Sequence, residues 1–259
     1  MPPSWGANAL LHPPRRPVTQ TPTARYETVD LDVGVHLHGW LFRTEGSRRG
    51  LVVYLHGVGD NRSSGIGVAA HFNALGFDVL AYDSRAHGES GGAACTYGFY
   101  EKQDLSRALD RIGGGPVLAL GVSLGAAVSL QAAADDPRIA LVVAVAPFSD
   151  LRTVAAERVP FFASRANIDQ AFQLAEAEAA FRADDVNPAA AATRIRVPVL
   201  VIHGTDDRDT PPAHSDRIYQ ALPGPKKLLL VPGAHHNDVL TAAAWREIDA
   251  WVALHWPTR

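Results

Sequence analysis

Six short apolar runs follow one another from residue 51 onward, and they constrain the fold more than any other feature of the chain. They read LVVYL, FDVLAY, PVLALG, ALVVAVA, VPVLVIH and KKLLLV, with few polar interruptions. A strand that is covered on both faces is apolar at successive positions, whereas a half-exposed strand alternates between apolar and polar residues. The runs therefore predict a parallel β-sheet with helices packed on both faces.

Helical stretches separate these runs and supply the crossovers that parallel strands need. Ahead of them, YETVDLDV and VHLHGWLF alternate on either side of Gly34, which predicts an antiparallel hairpin. The alternation of strand and helix predicts a doubly wound, mostly parallel α/β sheet of about eight strands. Length and composition predict helices over residues 64–75, 99–112, 124–134, 212–221 and 241–255.

Two segments depart from this alternation. Residues 1–25 are rich in proline, arginine and threonine and predict an irregular arm, followed by one domain over residues 26–259. More than forty residues separate APFSDL from VPVLVIHG, and they include a helical stretch from Asp169 to Arg182. A crossover needs only about a dozen residues. The excess predicts a small helical cap over roughly residues 150–190, and a single long packing helix is the alternative.

Composition argues against several classes of partner. The net charge of −3 arises from 24 basic and 27 acidic residues without a long run of either sign, which favours neither nucleic acid nor an anionic membrane. Cys95 is the only cysteine, so no internal disulfide and no cysteine–histidine zinc cluster is expected. The longest apolar run, IALVVAVAPF, is too short for a membrane helix, and the N-terminus lacks a signal-peptide pattern. We expect a cytoplasmic protein, and the sequence does not predict its oligomeric state.

The residues that follow each apolar run are the candidates for chemistry, because ligands of an open α/β sheet bind beyond the carboxyl ends of its strands. The run PVLAL leads into GVSLG, which places Ser123 between Gly121 and Gly125. G-x-S-x-G between a strand and a helix is the nucleophile elbow, a strained turn that exposes the serine hydroxyl. We predict that Ser123 is a nucleophile, and the alternative is a helix cap without chemistry.

A serine hydroxyl needs a base in hydrogen-bond contact to become a nucleophile. The loop after KKLLLV carries two adjacent histidines, of which His236, followed by Asn-Asp, is favoured over His235. His56 and His203 also follow apolar runs, but each precedes a glycine and is predicted to shape a turn.

The base in turn needs an acid that fixes its tautomer and stabilises its cation. The segment HGTDDRDTP offers Asp207, which is favoured, with Asp206 and Asp209 as rivals. Asp150, after the preceding strand, is a further candidate.

Two main-chain N–H groups are expected to form the oxyanion hole. One belongs to Leu124, the residue after the nucleophile, and the other to Val58, in the loop after LVVYL.

These segments together resemble a known family. LHGVGDNR, YDSRAHGESGG, YGFYEKQDL, GVSLGA, PVLVIHGTDDRDTP and GAHHND are similar to the α/β-hydrolase superfamily, in its small esterase and serine-aminopeptidase-like branch. The resemblance extends from about residue 26 to residue 256. It implies that the acid stands four positions after the histidine of HGxxD, at Asp207, and that the base precedes Asn-Asp, at His236. Asp209 departs from the hydrophobic residue that is common at its position. The resemblance further implies that a turn bracing the oxyanion loop contains Asp83, Arg85, Gly88 and Ser90.

The leading functional prediction is a serine hydrolase that cleaves small carboxylic esters through an acyl-enzyme intermediate, without a metal or organic cofactor. A thioesterase, or an aminopeptidase or amidase of the same fold, is the alternative, and a non-catalytic binding module is a remote one. A peptidase would need acids that capture a free amino terminus, although such acids also suit the solvated face of a cap helix. The candidates for that role are Glu176, Glu178, Asp184 and Asp185.

Overall fold

Eight strands form one sheet in the computed structural model, which describes residues 2–159 and 164–257. The strands are β1 (Glu27–Asp32), β2 (His36–Phe42), β3 (Leu51–Leu55), β4 (Asp78–Tyr82), β5 (Val117–Val122), β6 (Ile139–Val145), β7 (Val199–Gly204) and β8 (Lys226–Val231). Their order across the sheet is β1-β2-β4-β3-β5-β6-β7-β8. β1 pairs with β2 and β2 with β4 in antiparallel fashion, and all remaining pairs are parallel. The predicted fold class is confirmed.

Each central strand contributes side chains to two separate apolar clusters, one on each face of the sheet. In β3, Leu51, Val53 and Leu55 belong to one cluster, and Val52 and Tyr54 belong to the other. Because successive side chains of a strand point to opposite faces, every side chain of a strand with core on both sides is buried and has to be apolar. The continuous apolar runs of the sequence have this cause.

The strand order reverses between β3 and β5, and this reversal determines where loops meet. β4 lies on one side of β3 and β5 on the other, with Leu55 of β3 opposite Gly121 of β5. Connections from neighbouring strands diverge at such a point and leave a crevice beyond the carboxyl ends. The segment after β3 and the segment that begins with Ser123 therefore lie side by side.

Nine α-helices occur in the described ranges. They are α1 (Pro3–Leu11), α2 (Ile66–Ala74), α3 (Glu101–Ile112), α4 (Leu124–Ala133), α5 (Leu151–Arg158), α6 (Arg165–Ala179), α7 (Pro188–Ala192), α8 (Ala213–Ala221) and α9 (Ala242–His255). Short 3-10 helices cover Arg62–Gly65 and Ala183–Asp185. The five helices predicted from sequence correspond to α2, α3, α4, α8 and α9. No helix in these ranges is both long enough and apolar enough to cross a lipid bilayer.

The prediction of a wholly irregular N-terminal arm is wrong for Pro3–Leu11, which forms α1. Proline at the first helical position has a favourable φ and no N–H to leave unpaired. Ala7 and Leu11, one helical turn apart, are buried, and α1 packs against α6. The helix was not predicted because its stability depends on this packing rather than on a strong local pattern.

The long insertion between β6 and β7 contains α5, α6, a 3-10 helix and α7. Asp150 begins α5 by accepting a hydrogen bond from the Thr153 N–H (2.8 Å), and Ser164 caps α6 in the same way. The insertion thus contains several separate helices rather than the single long helix that was the alternative. Residues 160–163 of the predicted cap lie outside the described residues.

Candidate active site

Ser123 lies at the sharp turn between β5 and α4. Its backbone has φ of 52° and ψ of −110°, a conformation that is costly for a residue with a side chain. The serine N–H donates to the carbonyl of Val145 at 2.8 Å, and so the turn is tied to the neighbouring strand β6. Surrounding hydrogen bonds therefore hold the backbone of Ser123 in a strained conformation with its hydroxyl at the sheet edge.

His236 connects Ser123 to a buried carboxylate. Its Nε2 is 2.9 Å from the Oγ of Ser123, and its Nδ1 is 2.6 Å from Oδ2 of Asp207. Because a carboxylate only accepts, Nδ1 carries the hydrogen and Nε2 is free to accept the serine proton. His235 is exposed and its Nδ1 lies 3.0 Å from the Asp206 carbonyl. Of the two adjacent histidines, His236 is the one in contact with Ser123.

The Asp207 side chain is fully buried and receives several hydrogen bonds. Its Oδ1 accepts from the N–H groups of Asp209 (3.0 Å) and Thr210 (2.9 Å). Burial favours the neutral acid, but hydrogen bonds from His203 and His236 outweigh this effect and hold the pKa of Asp207 well below its usual range. The group that faces His236 is therefore an ionised carboxylate at neutral pH.

The rival acids have other surroundings. Asp206 and Asp209 are exposed, and the Asp206 carboxylate accepts from its neighbour Thr205. Asp150 is the N-cap of α5. Of the four acids considered from sequence, only Asp207 touches His236.

The two expected oxyanion donors lie on adjacent segments beside the serine. Gly57 is so close that a Cβ placed on it would lie 3.6 Å from the Ser123 Cβ. The Gly125 N–H donates to the carbonyl of His56 at 3.1 Å and joins the start of α4 to the loop after β3. No described residue accepts a hydrogen bond from the N–H of Val58 or Leu124. Both N–H groups are thus without an acceptor in the described part of the chain.

Asp83 braces the segment that follows this loop. Its buried carboxylate accepts from the N–H of Arg62 at 2.6 Å, pairs with the Arg62 guanidinium, and also accepts from the N–H of Glu89 at 2.9 Å. Gly88 has φ of +47°, and a Cβ there would lie 2.2 Å from Asp83 Oδ2. The Ser90 hydroxyl donates to the Asp83 carbonyl at 2.6 Å.

Arg85, the fourth residue expected in this turn, forms a two-point contact with Asp104 on α3. Its Nε and Nη2 donate to the carboxylate at 2.6 and 2.7 Å, and its guanidinium stacks 4.9 Å above the ring centre of Tyr100. Arg85 thus anchors the turn to α3 and does not reach the serine loop through these contacts.

An open cavity of about 870 Å³ contains Ser123 and His236 in its wall. Val58, the predicted oxyanion donor, and its neighbour Gly57 contribute to the same wall. Six charged residues also line it, of which only Asp209 was a candidate from sequence, as a rival acid: Arg16, Asp60, Glu157, Arg158, Arg208 and Asp209. The cavity therefore presents both signs of charge around the serine.

The end of α5 reaches this cavity and is held there by two contacts. The Glu157 carboxylate accepts from Nε2 of the buried His214 at 2.8 Å. The Arg158 guanidinium donates to the carbonyl of Asp209 (2.9 Å) and to the hydroxyl of Thr210 (2.8 Å). The Glu157 contact ties the insertion to α8, and the Arg158 contacts tie it to the loop that carries Asp207.

The four acids proposed to capture an amino terminus are engaged elsewhere. None of them lines the described part of the cavity, and each is within 4 Å of a basic side chain. The pairs are Glu176–Arg152 (3.0 Å), Asp184–Arg152, Glu178–His12 (2.7 Å) and Asp185–Arg182 (3.8 Å). Cys95 is buried, and burial raises the pKa of its thiol well above the ordinary value.

Comparison with known families agrees with this architecture. Residues 50–188, more than half of the chain, match the family model described as alpha/beta hydrolase fold. The chain belongs to the α/β-hydrolase family. A second model, for X-Pro dipeptidyl-peptidase of the S15 family, matches residues 160–237 of this hydrolase.

Two curated bacterial relatives are similar to the hydrolase along most of its length. The uncharacterized protein YqkD of Bacillus subtilis is 31% identical over 198 residues, which are 71% of this chain and 64% of the relative. The uncharacterized protein Rv2307c of Mycobacterium tuberculosis is 30% identical over 224 residues, 84% of this chain and 74% of the relative. The chain thus spans about two thirds to three quarters of the length of these relatives.

Solved structures share the fold of the hydrolase. The Pyrococcus furiosus esterase Pf2001 superposes with a TM-score of 0.79 at 23% identity, covering 95% of this chain and all of that one. A Paleococcus ferrophilus monoacylglycerol lipase superposes with a TM-score of 0.64 at 26% identity, covering 85% of this chain and 99% of that one. An acetyl xylan esterase from Paenibacillus superposes with a TM-score of 0.69 at 18% identity, covering 98% of this chain and all of that one.

For some residues of this hydrolase, the sequence did not indicate that they lie at the site. His203 was assigned to a turn, yet its ring lies 3.1 Å from Asp207. Its position four residues before Asp207, at the end of an apolar run, was the signal that could have found it. Glu157, Arg158 and Arg16 carry no such signal, because their approach to the serine depends on how α5 and the N-terminal segment pack.

Proposed function

We propose that this hydrolase cleaves carboxylic esters through an acyl-serine intermediate, with Ser123 as nucleophile, His236 as general base and Asp207 as the acid. The observation that carries the proposal is the continuous hydrogen-bond chain Ser123–His236–Asp207 at the wall of an open cavity. Nucleophile, base and orienting acid within hydrogen-bond distance are the arrangement that this chemistry requires.

The reaction begins when Nε2 of His236 takes the proton of Ser123 as the serine oxygen attacks the ester carbonyl carbon. The resulting oxyanion is held by the N–H groups of Val58 and Leu124, each typically worth about 10²–10³ in rate. His236 then gives its proton to the departing alcohol oxygen. It next removes a proton from water, which attacks the acyl-serine carbonyl carbon. His236 returns that proton to the Ser123 oxygen as the bond to the acyl carbon breaks and the carboxylic acid leaves. Asp207 stabilises the imidazolium in both steps.

The substrate in this proposal is a small-molecule ester that enters the open cavity. The α5 end of the insertion is the cap in this scheme, with Glu157 and Arg158 facing the substrate. Two of the structurally similar proteins are named esterases and a third a monoacylglycerol lipase, which supports ester chemistry. The chemistry needs no metal or organic cofactor, and a cytoplasmic location remains the prediction from sequence.

A peptidase is the second candidate function. The match of residues 160–237 to the X-Pro dipeptidyl-peptidase model favours it, and so does the carboxylate of Glu157 in the cavity wall. A free amino terminus bound near that carboxylate would place a peptide bond, rather than an ester, at Ser123.

The test compares ester and amide hydrolysis by the same preparations. Purified protein is assayed on p-nitrophenyl esters from acetyl to palmitoyl and on glycyl-prolyl-p-nitroanilide. Ser123→Ala is the inactive variant. Ser129→Ala is the matched control, because Ser129 is a buried serine on α4 whose hydroxyl donates to the Gly125 carbonyl (2.8 Å).

We expect rapid ester cleavage by the wild type and by Ser129→Ala, with Ser123→Ala inactive. The ester that is cleaved fastest defines the acyl chain length. Faster cleavage of the anilide than of every ester would replace the esterase by the peptidase. Failure on all substrates, together with a serine that resists a fluorophosphonate probe, would contradict both functions and favour the non-catalytic binding module.

A further inference from the structure

A second histidine touches the carboxylate oxygen that His236 uses. His203 lies near the end of β7 and its side chain is fully buried. Its Nε2 is 3.1 Å from Oδ2 of Asp207, the oxygen that accepts from His236 at 2.6 Å. One carboxylate oxygen is thus shared by two imidazole rings, of which only His236 contacts the serine.

The partners of His203 determine where its hydrogen resides. Nε2 is also 2.7 Å from the carbonyl of Thr210, which can only accept a hydrogen bond, and so Nε2 carries the hydrogen. Nδ1 is 2.6 Å from the hydroxyl of Ser215 on α8, which can donate to the bare nitrogen. A neutral ring with its hydrogen on Nε2 satisfies all of these groups.

The main chain of Thr210 connects His203 to Asp207. Its N–H donates to Oδ1 of Asp207 while its carbonyl accepts from His203. Nε2 of His203 therefore lies 2.7 Å from the turn that holds the carboxylate and 3.1 Å from the carboxylate itself. Rotation of Asp207 away from His236 would break contacts to each of them.

We propose that His203 is a positioning residue that holds Asp207 in the orientation required by His236. The proposal rests on the proposed function, because it assigns His203 a role through the Ser123–His236–Asp207 chain. The neutral form of His203 matters, since a cation at this place would neutralise the charge with which Asp207 stabilises the imidazolium of His236. His203 itself touches neither the serine nor the cavity.

The experiment removes the Nε2 donor and then restores it. His203→Leu fills the space without a donor, whereas the amide nitrogen of His203→Gln reaches about the position of Nε2. Ser215→Ala removes the hydroxyl partner of Nδ1 with a smaller change in packing. His71→Gln is the control, because it alters a histidine that pairs with Asp249 (2.7 Å) outside the cavity lining. The values of kcat and KM are measured across pH on the p-nitrophenyl ester that the wild type cleaves fastest. Each kcat is divided by the concentration of serine that a fluorophosphonate labels.

For His203→Leu we expect kcat to fall by about tenfold or more with little change in KM, the scale of a lost hydrogen bond to a charged group. The acid limb of its pH–rate profile should move to lower pH, because an Asp207 carboxylate that is no longer held toward His236 stabilises the imidazolium less. His203→Gln should recover most of kcat and the wild-type acid limb. Ser215→Ala should lower kcat by a smaller factor, and His71→Gln should match the wild type.

An unchanged kcat per labelled serine and an unchanged acid limb in His203→Leu would overturn the proposal. Thermal unfolding of each variant is recorded as well. A variant that is only less stable has a lower melting temperature but keeps the wild-type kcat per labelled serine and the wild-type pH profile. If His203→Leu does not fold, the proposal is tested with His203→Gln and Ser215→Ala instead. A wild-type kcat and a wild-type pH profile in Ser215→Ala would then contradict it. Failure of the proposed function is distinguished by the wild type, which in that case would neither cleave esters nor react with the fluorophosphonate at Ser123.

Discussion

Gly121 and Gly125 approach each other so closely that a Cβ on Gly121 would lie 2.2 Å from the carbonyl carbon and oxygen of Gly125. A Cβ on Gly125 would lie 2.0 Å from the carbonyl oxygen of Leu55. Both obstacles are main-chain atoms that cannot rotate away. The glycines on either side of Ser123 are therefore required by the packing of α4 against β5 and β3.

Alanine at either glycine should consequently prevent normal folding. We expect Gly121→Ala and Gly125→Ala to lower the free energy of unfolding by at least about 3 kcal/mol, because main chain has to shift to relieve the overlap. Gly67→Ala is the control, since Gly67 lies within α2 and a Cβ there meets nothing within 4 Å. It should stabilise the protein by about 0.5–1 kcal/mol. Urea unfolding measures all three, and wild-type stability in Gly121→Ala would contradict the packing argument.

Replacement of Asp207 should abolish most of the activity without unfolding the site. In Asp207→Asn the amide can donate to Nδ1 of His236 and so stabilise the wrong tautomer, and we expect kcat to fall by about 10⁴. Asp206→Asn is the matched control because its carboxylate is exposed and accepts from Thr205. Steady-state kinetics on one ester measure both variants. Comparable losses in the two would show that Asp207 has no special role.

The buried pair of Asp83 and Arg62 should matter far more for stability than an exposed pair of similar geometry. Asp83→Asn removes the buried one of the two carboxylates that pair with the Arg62 guanidinium, 7% exposed, and leaves only that of the exposed Glu89. We expect a loss of about 3 kcal/mol in the free energy of unfolding, the lower end of the cost of breaking a buried ion pair. Asp249→Asn, which breaks a partly exposed contact with His71, should cost about 0–1 kcal/mol. Equal costs in chemical denaturation would contradict the assignment of Asp83 as the brace.

Stability should decline in mild acid because of buried histidines. Burial, assisted by the neighbouring His56, lowers the pKa of His87 to about 4. Between the ordinary histidine pKa of about 6.5 and pH 4, the unfolded chain binds a proton at His87 that the folded chain excludes. The free energy of unfolding should therefore fall by roughly 3 kcal/mol from this residue as the pH is lowered through that window.

The His87 contribution can be isolated by substitution. The Nδ1–H of His87 donates to the Arg85 carbonyl at 2.8 Å, and the amide of His87→Asn can replace that donor. Between pH 7 and pH 4, the free energy of unfolding of His87→Asn should fall by about 3 kcal/mol less than that of the wild type. Burial also lowers the pKa of His56 and His214, so a smaller decline should persist in the variant. His36→Asn, at an exposed position, should keep the full wild-type decline.

The sheet, its covering helices and the strained serine turn were accessible from sequence because their causes are local. Strands with core on both faces must be apolar throughout, as in β3 and β5. The elbow is local too, since the overlap that excludes a side chain at Gly121 involves Gly125, four residues away. The helix α1 was missed because it packs against α6, more than 150 residues later in the chain, and buries Ala7 and Leu11.

The choice within each short cluster of candidates was decided by tertiary structure. His235 and His236 are adjacent, as are Asp206 and Asp207, so local pattern and the resemblance to a family could favour one residue but could not measure a contact. Neighbouring side chains in a loop point in different directions, and only the meeting of two loops 29 residues apart joins His236 to Asp207. The same holds for His203, whose ring reaches Asp207 because the chain turns back through Thr210. Sequence alone determined which types of residue gather at the sheet edge. The packed structure decided which atoms touch, because a hydrogen bond forms only when donor and acceptor lie within a few tenths of an ångström of their best separation. No residue pattern encodes positions to that accuracy.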